Sequence, residues 1–82
     1  MAKTPSKTLV ITFIADDRPG LVERLSEVVS NAGGNWLESR MARLAAKFAG
    51  IARVEIEAGK TAALRDALAA LEADGFTLNI EG

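Results

Sequence analysis

Apolar residues recur along this chain with two periods, and the periods divide it into six elements. Thr8 to Ala15 is rich in β-branched and apolar residues, with Leu9, Ile11 and Phe13 on one face and Val10, Thr12 and Ile14 on the other. Both faces are largely apolar, which predicts a central strand. From about Pro19 to Ala32, Leu21, Val22, Leu25, Val28, Val29 and Ala32 recur at three- and four-residue steps. That is the stripe of an amphipathic helix, with Gly33 as its terminator. Asn35 to Leu44 reads as a second strand in which strict alternation fails: Leu37 and Met41 share one face, Trp36 and Leu44 the other. A β-bulge, or an edge strand with a partner on its second side, would account for it.

Ala45-Ala46-Lys47 is the expected hairpin connection, without the Asn-Gly pair that marks a turn type. Phe48 to Glu57 alternates cleanly. Phe48, Gly50, Ala52, Val54 and Ile56 face the core, and Arg53, Glu55 and Glu57 face away with Ile51 among them. Thr61 is placed to cap a second helix that runs to Asp74, with Leu64, Ala67, Leu68 and Leu71 buried and Gly75 as the stop. Phe76, Leu78 and Ile80 then alternate with Thr77, Asn79 and Glu81 in a last strand.

The order β-α-β-β-α-β with two one-sided helices predicts an α+β, ferredoxin-like fold. It has a four-stranded antiparallel sheet with both helices on one face. Right-handed crossovers put the first and third strands in the centre and the second and fourth at the edges. Residues 1–7 are polar and read as a flexible leader, and residues 8–82 as a single domain.

Length and composition narrow the function. Eighty-two residues make one domain. A domain of this size buries only about 60% of its unfolded surface. With 49% hydrophobic residues, self-association is expected. A net charge of −1 favours neither nucleic acid nor an anionic membrane. The chain has no cysteine and no histidine, which removes disulfides, thiolate and imidazole metal sites, and histidine-based catalysis. No apolar run approaches the roughly 18 residues of a membrane span. Lys3 and Lys7 precede an apolar run too short for export, so the cytoplasm is the expected location.

The stretch around which the chain is organised is Asp16-Asp17-Arg18-Pro19-Gly20-Leu21-Val22, a strand-to-helix turn. Pro19 suits a first helical turn, and Asp17 is placed to cap the helix by accepting from the Gly20 N–H. Gly20 leaves the helix start bare, and the free N–H groups there suit a carboxylate. Capping and packing alone would account for the same residues.

Other chemistries of this fold lack their residues. A metal carrier would need paired cysteines. An acylphosphatase-like enzyme would need an arginine phosphate cradle, and the one loop arginine, Arg18, stands beside two aspartates. An RNA-binding sheet would need stacking aromatics where Ile51 and Val54 stand. No convergent acid–base set is present, so catalytic residues, metal ligands and cofactors are all expected to be none.

With topology and turn in hand, the chain resembles an ACT domain, a small regulatory module attached to many enzymes of amino-acid metabolism. The resemblance rests on Asp17-Arg18-Pro19-Gly20-Leu21-Val22, then Leu25 and Val29, then Gly33-Gly34-Asn35-Trp36. It covers about Thr8 to Glu81. Ser39-Arg40-Met41-Ala42-Arg43-Leu44 followed by Phe48 is most similar to the glycine cleavage system transcriptional repressor group, whose members usually carry two such domains. The resemblance implies a non-enzymatic regulatory domain, with ligand contacts falling on Asp16, Asp17, the Gly20 and Leu21 backbone, and Asn35. Some serine-binding members have Asn in place of Asp17 and histidine in place of Ala15. It also implies a transcriptional or metabolic regulator related to glycine cleavage. A helix of ~14 residues is ~21 Å long, so Asn35 and the turn lie apart in one chain, which favours a site shared between subunits. The expected partners are a small amino acid, a second copy in a homodimer and a regulatory protein, without nucleic acid or membrane. The alternative is a dimerisation or partner-binding module with no small-molecule ligand. Binding of an amino acid separates the two.

Overall fold

A computed structural model describes residues 5–82 of the chain. Its elements are β1 (Ser6–Asp16), α1 (Leu21–Asn31), β2 (Asn35–Leu44), β3 (Lys47–Glu57), α2 (Thr61–Ala70) and β4 (Thr77–Glu81). Single 3-10 turns over Ala58–Lys60 and Leu71–Asp74 flank α2. The strands form one antiparallel sheet in the order β2-β3-β1-β4, so the predicted centre and edges are the observed ones. β1 begins two residues inside the stretch expected to be a leader. Residues 1–4 lie outside the described residues.

One core explains the layering. Leu9, Ile11, Phe13 and Ala15 of β1 and Phe48, Ala52, Val54 and Ile56 of β3 are buried beneath Leu21, Leu25 and Val29 of α1 and Leu64, Leu68 and Leu71 of the second helical segment. Because these residues share one cluster, both helices lie on the same face of the sheet. The Phe13 and Phe48 rings meet within this cluster at 5.9 Å between centroids.

Several expectations are corrected. The second face of β1 is open in this chain: Ile14 is 51% exposed and Val10 only half-buried. Val22 is exposed rather than part of the buried stripe of α1. Asp17 does not cap α1. The capping position is Gly20 at φ 83, with no side-chain hydrogen bond. Thr61 does not cap α2 either. Lys60 holds the capping position, and the buried Thr61 hydroxyl has no partner among the described residues.

In β2 the bulge expected as one explanation is present. Trp36 pairs with Val54 and Glu38 with Arg53, so Leu37 is the extra residue. The bulge reverses the facing downstream. Trp36 and Met41 come to the same, helix-covered face, whereas unbroken alternation had set them apart. The hairpin is tighter than expected: Ala45 (φ 53) and Ala46 (φ 63) form it alone and Lys47 already belongs to β3. Two successive left-handed residues are the signature of a type I′ turn, whose twist matches that of the strands.

Candidate functional site

The β1–α1 loop lies at the end of the sheet where the β2–β3 hairpin turns. Asp16 pairs in register with Lys47, and Lys47 with Leu44. One step later the Asp17 N–H donates to the Ala46 carbonyl at 3.0 Å, which ties the loop to the hairpin tip. The carboxylates follow the backbone. Arg43 Nε donates to Asp17 Oδ1 at 2.9 Å, and Lys47 Nζ donates to Asp16 Oδ1. Lys47, through that hydrogen bond first and its charge second, holds the exposed Asp16 carboxyl below its ordinary value. The charge of Arg18 adds a smaller pull in the same direction, against some desolvation. The Arg43 guanidinium also stands 5.4 Å from the centre of the Phe48 ring.

Beyond Asp17 the chain crosses to the other side of the helix start. Arg18 donates to the Asp74 carbonyl, and Arg24 pairs with the Asp74 carboxylate at 2.8 Å. These residues, with Pro19, Gly20, Leu21 and Phe76, line an open cleft of about 270 Å³ at the N-terminus of α1. Gly20 is required there by its left-handed φ, since a Cβ on it would meet no other atom within 4 Å. Its carbonyl accepts the first helical bond, from Arg24 at 3.0 Å. With no side chain as acceptor, the leading N–H groups of α1 are available to an anion.

Of the residues singled out from sequence, Asp16, Asp17, Gly20 and Leu21 come together at this end. Asn35 does not join them. It pairs with Glu55, eight residues along β3 from Lys47, so ~26 Å separates it from Asp16 within one chain. Arg43, Lys47, Arg24 and Asp74 are the site residues that sequence reasoning missed. Aligning β1 against β3 with the tight turn at Ala45-Ala46 would have set the two cations beside the two aspartates. Nothing in the sequence pointed to Asp74, which reaches the site only through packing of α2 on α1.

The sequence pattern of the ACT domain matches residues 7–80. The chain belongs to the ACT domain family. A crystal structure of a candidate glycine cleavage system transcriptional repressor superposes on this ACT domain with a TM-score of 0.87 at 23% identity, covering 93% of this chain and 45% of that one. A protein of unknown role from Galdieria sulphuraria is 30% identical with a TM-score of 0.76, covering 94% of this chain and 45% of its own. The chain therefore spans a little under half the length of both. An ACT domain protein from Streptococcus pneumoniae matches at 24% identity and a TM-score of 0.77, over 90% of this chain and 86% of that one. Likenesses below 25% identity establish the fold alone. No curated protein matches the sequence. The fold is thus that of a regulatory domain, and no described helix is long and apolar enough to cross a membrane.

Proposed function

We propose that this ACT domain is a non-enzymatic, cytoplasmic regulatory module that binds a small amino acid at the β1–α1 loop, with a second copy of the chain supplying Asn35. The observation that carries the reading is the Arg43–Asp17 pair. It draws the loop over the hairpin toward the edge strand β2, while the helix start stays uncapped. The helix N–H groups would take the ligand carboxylate and Asp17 its ammonium. β2 lies at the sheet edge. Antiparallel pairing of β2 with its own copy would carry the second copy's Asn35 to the Leu44 end, from which its own chain holds it far away. The likeness to a candidate glycine cleavage repressor supports a role in regulating a pathway of that kind, through a protein partner.

Calorimetry across the twenty amino acids tests this. One or two small amino acids should give heat, and Asn35→Ala should weaken their binding by about 1–2 kcal/mol, the usual worth of a hydrogen bond to a charged group. Absence of heat with all twenty would overturn it. The reading then left is a dimerisation module without a ligand. A specific observation favours that one too: both loop carboxylates already carry protein cations.

A further inference from the structure

The cleft beside the start of α1 presents a ligand mainly with charge. Its inner walls, Leu21 and Phe76, are buried core residues and offer almost no apolar surface. Arg18 and Arg24 bring two positive charges and Asp74 one negative, so the cleft keeps an excess positive charge. Each arginine reaches Asp74 through Nη2, Arg18 at its carbonyl and Arg24 at its carboxylate. A guanidinium has five N–H donors in a fixed fork, so both arginines retain donors for a further acceptor. The loop carboxylates do not oppose an anion here, because Lys47 pairs with Asp16 and Arg43 with Asp17. Arg24 lies one turn into α1 from Gly20, to whose carbonyl its N–H donates. Helical side chains lean toward the N-terminus and cover the preceding turn, which sets this guanidinium beside the bare Gly20.

On the reading that an amino acid binds at the β1–α1 loop, we infer that the ligand is an acidic one, aspartate or glutamate, whose side-chain carboxylate takes Arg24 and Arg18. Its ammonium lies on the Asp17 side of the helix start and its α-carboxylate at the leading N–H groups. The side chain passes over Gly20 into the cleft. Every other class of side chain meets a physical obstacle. Glycine and serine are too short to reach the guanidinium groups. Apolar side chains gain little, since Leu21 and Phe76 are already buried beneath the cleft. Lysine and arginine face the excess positive charge. Asparagine and glutamine offer a neutral oxygen where a carboxylate makes shorter, charge-assisted and bidentate contacts. The cleft holds about 270 Å³, below the range of about 300–1,000 Å³ that takes drug-sized ligands, and so suits a short acid. Asp74 is the group with which the ligand carboxylate competes for Arg24.

The test is calorimetry on the full chain with L-aspartate, L-glutamate, their amides, glycine and L-serine. One of the acids should bind about ten-fold more tightly than its own amide, the worth of one charged hydrogen bond. Arg24→Gln should erase that difference between acid and amide. Asp74→Asn removes the competing carboxylate and should tighten the acid several-fold, a gain that a misfolded variant cannot give. Melting curves confirm that both variants are folded. Heat from glycine or serine with silence from both acids would overturn the acidic specificity and leave amino-acid binding at the loop standing. Silence with all six would overturn both. An acid that binds no better than its amide, equal loss of acid and amide in Arg24→Gln, or no gain in Asp74→Asn would also overturn the specificity.

Discussion

Arg43 on β2 donates through Nε to Asp17 Oδ1 at 2.9 Å, and so fastens the β1–α1 loop to the strand that forms the sheet edge. Asp17 therefore acts across the hairpin and not along its own helix. Its side chain is 31% exposed and that of Arg43 67%, which sets the scale of the interaction. Asp17→Ala should cost about 0.2–1 kcal/mol, as exposed pairs do, rather than the larger cost of losing a helix cap. Arg43→Ala should cost a similar amount, with little further loss in the double variant. Urea unfolding at low salt and near 1 M salt checks this, because screening should erase much of the difference.

Asp16 gives a pH dependence whose sign is fixed. Its folded carboxyl titrates below the ordinary aspartate value, chiefly through the hydrogen bond from Lys47 and then its charge. Lowering the folded value makes the contribution present above the unfolded pKa and lost as pH falls through the folded one. Wild type and Lys47→Ala should therefore differ at pH 6 and converge below about pH 4, near the ordinary aspartate value. Thermal melts across that interval measure it; a gap that widens toward acid pH would reverse the assignment.

The hairpin turn carries strain that can be relieved. Ala45 and Ala46 both hold left-handed φ, which L-residues with a Cβ disfavour. Ala45→Asn with Ala46→Gly supplies the pair that a type I′ turn prefers and should stabilise the domain by about 1 kcal/mol. In a domain this small that raises Tm by roughly 4–8 °C. An unchanged or lower Tm would show that the alanines are not strained in solution.

Gly50 has the least room for a side chain of the described glycines. A Cβ there would stand 2.7 Å from Phe13 Cζ, 2.9 Å from the Arg40 carbonyl and 2.9 Å from Met41 Cγ. Gly50→Ala should lower stability by about 1–3 kcal/mol, the usual cost of overpacking. Chemical denaturation measures the loss, and a neutral result would mean that Phe13 and Met41 yield without cost.

The chain's own periodicity determined the element order, the two central strands and the buried leucines of both helices. Those depend on short-range spacing, and a residue's face follows from its neighbours' faces. It also placed a bulge in β2 among the explanations for Trp36, Leu37 and Met41, because an extra residue leaves a visible break in a period of two. The tertiary structure alone decided what Asp17 does. Its local alternatives, a cap on α1 or a bond to Arg43, differ by a contact between residues 26 positions apart in sequence. The same holds for Asp74 beside Arg18 and Arg24, and for the ~26 Å between Asp16 and Asn35, which come from the packing of α2 and the register of β1 on β3. The exposure of Ile14 and Ile51 belongs to this second group. An apolar side chain records that it favours burial, and only the folded chain shows that its own helices cover the other face.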